Sequence, residues 1–184
     1  MSIDSQNMEA FLASVERQAL RMAEIATGNT EEALDLLQDS MIQLVQRYSN
    51  KPEGEWRPLF FRILQNKIRD WHRKMKLKRQ WTRWFGSSEI SAGNSAIDNP
   101  LGNIADPLSP NPAELAETED ELKAIERALQ SLPLRQQQVF LLRAWQEMSV
   151  RETASVMSCS EGSVKTHYSR AIHSLREIME PQSP

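Results

Sequence analysis

The sequence has little of what catalytic or secreted chains usually rely on. A single cysteine, Cys159, stands among 184 residues, which excludes an intramolecular disulfide and a four-cysteine zinc site. A reducing compartment is the simple expectation. The three histidines, His72, His167 and His173, are scattered and lack metal-ligand spacing. Asp70 and His72 are two apart, so on one helix they point in different directions and cannot share a proton or a ligand. No phosphate-binding loop, glycine-rich dinucleotide turn or GxSxG elbow occurs. Acidic pairs such as Glu31-Glu32 read as solvated helix starts that complement the macrodipole. The chain is therefore expected to be no enzyme and to need no metal or cofactor. Apolar runs span only a few residues, far short of the ~20 that cross a bilayer. No basic segment followed by an apolar one opens the chain, so a cytoplasmic protein without membrane insertion is expected.

What is present is a strong segregation of charge. The net charge of −3 hides residues 62–83, which carry 9 basic side chains and 1 acidic one. Residues 1–61 carry 5 basic and 10 acidic, and residues 84–133 carry 2 and 9. A short cationic block inside an acidic protein is the footprint of a polyanion-binding stripe.

Period-two alternation is absent, so an all-α fold is expected. Phe11, Val15, Ala19, Met22 and Ala26 mark one helix face, which Gly28 ends. Asn29 or Thr30 caps the next helix, with Leu34, Leu37, Met41, Leu44 and Tyr48 as its stripe. After a turn at Pro52 and Gly54 comes a third stripe, Phe60, Leu64, Ile68, Trp71 and Met75. Of the 27 residues 86–112, 16 are Gly, Ser, Asn or Pro, and none is Lys or Arg, a composition that reads as a flexible linker. The chain thus divides into two small helical domains, 1–85 and 113–184, joined by that linker. In the second, Leu122, Ile125, Leu129 and Leu132 mark a helix, and Pro133 suits the first turn of the next, which runs to about Gln146.

Two constellations carry chemistry. On a wheel of about 100° per residue, Arg62, Asn66, Arg69, Arg73 and Lys76 fall opposite the apolar stripe of the third helix. A mixed-sign face would read as mere solvation, but Asp70 is the sole acid here, so this face is expected on nucleic acid. Lys74, Lys78, Arg79 and Arg83 extend the field. Tryptophans interleave with the charge, as stacking on bases requires. Trp71 belongs to the apolar stripe. Trp81 and Trp84 are open between stacking, packing and exposure, and Trp56 between base capture and anchoring its loop.

The second constellation spans residues 149–176. Ser149 and Glu152 form a capping box, a helix of about eight residues follows, and Ser160 caps another after a short turn. This is a helix-turn-helix, with Ala154 small at the crossing and Val164 as the facing apolar contact. Gly162, Thr166 and Arg170, flanked by Ser163 and Lys165, face away from the apolar side, where they can reach phosphates and base edges. A duplex-binding regulator fits this half alone. It leaves the cationic helix unexplained, and a nucleic-acid enzyme lacks any nucleophile or metal set.

In order along the chain, DLLQDSMIQLVQRY (35–48), RPLFFRILQNKIRDWHRK (57–74) and LPLRQQQVFLLRAWQEMSVRETASVMSCSEGSVKTHYSRAIHSLR (132–176) resemble a bacterial RNA polymerase sigma factor of the small, two-domain extracytoplasmic-function (ECF) type. The resemblance implies that Asp35, Leu37, Gln38 and Asp39 dock on the core enzyme's largest subunit. It implies that Ile63, Asn66, Asp70 and Arg73 belong to the pattern at the −10 element, with the Lys51–Arg57 loop taking a flipped base. Leu132, Pro133 and the Val139–Arg143 helix would grip the polymerase flap. Ser160, Gly162, Ser163, Val164, Lys165, Thr166 and Arg170 would lie on the helix reading the −35 element. Leu59 stands where the family commonly has tryptophan, and Thr153 where it has isoleucine. The implied partners are polymerase core, promoter DNA and an anti-sigma protein that covers the docking surfaces.

Overall fold

The computed structural model describes residues 3–85 and 112–179, all in helices and turns, with no strand among them. The linker expected over 86–112 lies outside the described residues except for Pro112, as does the side chain of Trp84.

Helix α1 (Ile3–Thr27) buries Val15, Ala19, Met22 and Ala26 on the expected face. Gly28 ends it at φ +67°, the left-handed conformation that glycine reaches without steric cost. Asn29, in extended backbone, caps α2 (Thr30–Tyr48), its side-chain oxygen accepting from Glu32 N at 3.0 Å. Within α2 the buried face is Ala33, Leu37, Ser40 and Leu44. Leu34, expected inside, is 38% exposed. Ala33 takes the inward position because a methyl group lets the helices approach closely, and this turns the buried face by one residue.

Helix α3 (Glu53–Phe85) is 33 residues long, about 50 Å. It begins inside the segment expected to be a loop. Pro58 is accommodated early in the helix, where the residue four back is Gly54. Phe60, Phe61, Leu64 and Ile68 are fully buried, and Phe60 meets Phe61 and Phe11 edge-on at 5.3 and 6.2 Å. Polar clamps fix α3 against its neighbours. Trp71 Nε1 donates to Glu32 at 2.8 Å, and His72 Nε2 pairs with the Ala26 carbonyl at 2.8 Å. From Lys76 to Arg83 every side chain is exposed, so the helix outruns the bundle.

The second half comprises α4 (Pro112–Ser131), α5 (Leu134–Phe140), α6 (Val150–Met157) and α7 (Glu161–Met179). Pro133 immediately precedes α5 rather than sitting in its first turn. A π-helical turn, Leu141–Trp145, continues α5, and Glu147, two residues past its end, has φ +54°. The two halves touch, α3 against α6 and α1 against α4. The seam is polar. Gln138 Nε2 donates to the Gln65 carbonyl at 3.2 Å, Arg57 donates to the Gln146 carbonyl at 2.8 Å, and Arg21 pairs with Glu126. Gln65, Gln137, Gln138 and Gln146 are all buried, yet the side-chain oxygens of the first three have no partner. Each such group costs about 1–3 kcal/mol, so water reaching these oxygens in an opened seam would offset part of the cost of separating the halves.

Candidate nucleic-acid interface

Successive turns of α3 carry Arg62, Asn66, Arg69, Arg73 and Lys76 on the face turned from the core. Arg62, Arg73 and Lys76 are exposed, while Asn66 and Arg69 are half-buried. Arg73 pairs with Asp70 at 3.1 Å and Lys67 with Asp39 at 3.2 Å. Arg69 donates to Asn66 Oδ1. Among the described residues, the other basic side chains of 62–83 have no acidic partner. An uncompensated row of cations on one helix repels itself and is relieved by a polyanion.

The structure places Trp56 in the core and Trp81 outside it. Trp56 lies in the first turn of α3, is 3% exposed and packs on Phe11 at 5.9 Å. It anchors the helix start and offers no face to a base. The Lys51–Arg57 segment is likewise no open loop, because helix already begins at Glu53 and only the turn before it remains. Trp81, by contrast, is 65% exposed on the protruding end of α3.

The helix-turn-helix forms as its caps dictate. Ser149 Oγ accepts from Glu152 N at 3.1 Å, and Glu152 Oε2 accepts from Ser149 N at 2.7 Å. Hydrogen bonding to its carboxylate by the Ser149 hydroxyl and by the Ser149 backbone N–H holds the Glu152 carboxyl below the usual carboxylate range. Ser158 supplies the turn's left-handed residue, φ 52° and ψ 50°, without glycine. Ala154 and Val164 are buried at the crossing as expected, and Thr153 is buried with its hydroxyl unpartnered. On α7, Ser160 Oγ accepts from Ser163 N at 3.1 Å and lies 2.9 Å from Ser163 Oγ. Both hydroxyls thus shape the helix start. Gly162, Lys165, Thr166 and Arg170 are exposed, and Thr166 Oγ1 donates to the Gly162 carbonyl at 3.0 Å. Lys165 and Arg170 have no polar partner among the described residues, so their donors face solvent.

A third surface lies on α2. Asp35, Gln38 and Asp39 are exposed, but Leu37 is 2% exposed and is a core residue that supports this face from beneath. Its place on the docking surface is therefore corrected: Leu37 lies on the apolar stripe of α2, as its helical spacing expects, and faces the core. Leu34, Ile42 and Val45 stand exposed beside the acids, and of these the sequence pattern points only to Leu34, as a core residue. A signal for the surface exists all the same, since apolar residues at 34, 42 and 45 lie off the buried stripe at helical spacing. The Val139–Arg143 segment is mostly interior: Val139, Leu141 and Leu142 are buried, and Arg143 lies over the Tyr168 ring at 5.7 Å. An apolar groove of roughly 260 Å³ opens beside it, between exposed Leu122, Ile125 and Trp145.

Among the described residues no cluster of three or more His, Cys, Asp or Glu side chains could hold a metal, and no helix is long and apolar enough to cross a membrane.

Residues 122–175 match the family described as "Sigma-70, region 4". The chain is 25% identical over 173 residues to the RNA polymerase sigma-E factor of Streptomyces avermitilis, covering 94% of this chain and 84% of that one. It is 29% identical over 150 residues to the ECF RNA polymerase sigma factor SigX of Bacillus subtilis, covering 79% and 70%. Two solved structures share the fold. The sigma factor RpoE in complex with the anti-sigma factor NepR, from Bartonella quintana, superposes with a TM-score of 0.65 at 22% identity over 95% of this chain and 99% of that one. CnrH in complex with the cytosolic domain of CnrY gives 0.55 at 21% identity over 98% and 96%. A helix-turn-helix lies where the family match falls and the relatives run through both halves, so the chain is similar along its length to ECF sigma factors, RNA polymerase subunits of promoter-specific transcription initiation.

Proposed function

We propose that this chain is a sigma factor that contacts its promoter at two places, with α3 on the −10 element and α7 on the −35 element, and that α3 helps hold the opened strands. The observation that carries this reading is the cationic face of α3, which the protein itself leaves largely unneutralised. Arg62, Arg73 and Lys76 supply affinity by displacing counterions from phosphates, and Asn66 sits among them as a reader of a base. On α7, Lys165, Thr166 and Arg170 read base edges, while Ser160, Gly162 and Ser163 bring the helix start close to the backbone. Asp35, Gln38 and Asp39, with the apolar side chains beside them, dock on polymerase core. The chain performs no chemistry of its own and acts in the cytoplasm on an enzyme made by other subunits.

Residues 1–85 and 113–184 serve as separate domains in this scheme, and opening of the glutamine-rich seam lets each reach its own promoter element. In the structures above, RpoE is bound by the anti-sigma factor NepR and CnrH by the cytosolic domain of CnrY. An anti-sigma protein for this chain would cover Asp35, Gln38 and Asp39 together with the apolar groove of Leu122, Ile125 and Trp145 beside the mostly interior Val139–Arg143 segment. Reconstitution with polymerase core tests the proposal. Transcripts starting at fixed template positions are expected, and their loss on replacing Asp35 and Asp39 by lysine supports docking through α2. Undiminished initiation by that variant moves docking elsewhere.

A further inference from the structure

Arg69 sits in the cationic row, but its guanidinium is not turned to solvent like those of Arg62 and Arg73. It is half-buried and donates to Asn66 Oδ1, one turn back along α3. Asp70, the one acid in this stretch, is already paired with Arg73 at 3.1 Å. Arginine has donors and no acceptor, so the Asn66 atom that faces it must be the oxygen. A flipped amide would set the Nδ2 hydrogens against the guanidinium hydrogens, donor against donor. The amide of Asn66 is therefore held in one orientation, with Nδ2 on the side away from Arg69.

We propose that Arg69 is a positioning residue that fixes the polarity of the Asn66 amide and so sets which base edge Asn66 accepts at one promoter position. An unrestrained asparagine can turn its amide over and offer donor or acceptor to the same point in space, which discriminates poorly between bases. One whose oxygen is pinned offers a fixed donor and acceptor order. Arg69 thereby contributes selectivity rather than phosphate affinity, unlike its neighbours on the face. The inference rests on the reading that α3 lies on the −10 element.

The test is binding of a randomised promoter library by holoenzyme reconstituted with wild type, Asn66→Ala, Arg69→Ala, Arg69→Lys and the Asn66→Ala/Arg69→Ala double variant. Asn66→Ala is expected to flatten base preference at one position, about three- to tenfold, the worth of one neutral hydrogen bond. Arg69→Ala flattens the same position with the salt slope unchanged, and the double variant flattens it no further than Asn66→Ala. Arg69→Lys, which keeps a donor for Oδ1, restores the preference in part. If Arg69→Ala weakens all sequences equally and lowers the salt slope by about one, Arg69 is a phosphate clamp and the proposal is overturned. It is overturned equally if Asn66→Ala leaves every preference intact. Promoter binding that survives the Arg62→Ala/Lys76→Ala variant unchanged would remove α3 from DNA altogether, a failure of the −10 reading that the other outcomes do not mimic.

Discussion

Helices α3 and α7 both present polar faces away from an apolar core, but they are built on different terms. On α3 the outer face is dense with cations, and the few side chains that find partners find them within the protein: Lys67 with Asp39, Arg73 with Asp70, Arg69 with Asn66. On α7 the outer face is sparse. Its short hydroxyl residues bond to their own helix, and Lys165 and Arg170 in its first half extend charged donors into solvent, with Arg176 exposed in its last turn. Dense charge gives affinity that any sequence satisfies. A few long donors above small side chains allow the helix to enter a groove and discriminate. In the proposed scheme each helix reads its own element, α3 through Asn66 amid a phosphate-binding row and α7 through Lys165 and Arg170.

The largest expected effect falls on the scaffold beneath α3. Phe60→Ala removes a fully buried ring between Phe11 and Phe61 and should destabilise the protein by about 3–5 kcal/mol, measured by denaturant unfolding. A loss smaller than about 1 kcal/mol would mean that α3 is held by its polar clamps rather than by its core. Next comes Arg170→Ala, expected to relax preference at one or two upstream positions by about 1–3 kcal/mol in a promoter-variant panel. Uniform loss at every position would make α7 resemble α3 and erase the contrast. The double variant Arg62→Ala/Lys76→Ala should weaken binding on all sequences alike and reduce the salt slope by about two, roughly tenfold in relative affinity between about 50 and 200 mM salt. An unchanged slope takes those side chains off phosphate.

The smallest effect is a pH dependence confined to the α3 side. Burial holds the His72 imidazole below its ordinary value, against the raising influence of the Ala26 carbonyl and with a smaller lowering by the Arg79 charge. A group whose value is depressed on folding lends stability that is complete above its unfolded value, about 6.5, and is lost as pH falls through the folded one. Stability should therefore decline as pH drops below about 6.5. His72→Gln should flatten that decline, and an identical slope in the variant would assign it to another group.

Much of this was legible because local chemistry decides it. Asn29, Ser149 with Glu152, and Ser160 are caps whose side chains satisfy backbone donors within three residues, so no distant part of the fold can overrule them. The stripe Phe60, Leu64 and Ile68 was equally secure, being repeated at helical spacing. Features set by packing between elements were not legible. Leu34 faces outward and Ala33 inward because neighbouring helices come close, a choice invisible within α2 itself. Trp56 left its expected loop because Phe11, forty-five positions away, provides its seat. Gln137, Gln138 and Gln146 are buried by packing between the halves, which no local pattern marks. Within the candidate site, the row from Arg62 to Lys76 was visible as charge, but the turning of Arg69 onto Asn66 was not.

The division of labour between α3 and α7 is tested most directly by selecting a randomised promoter library with the reconstituted holoenzyme and sequencing what is retained. The account predicts two enriched blocks at fixed spacing, with preference lost at one or two positions of the upstream block on Arg170→Ala and the downstream block unchanged. A single enriched block, or loss of both blocks together in that variant, would contradict it.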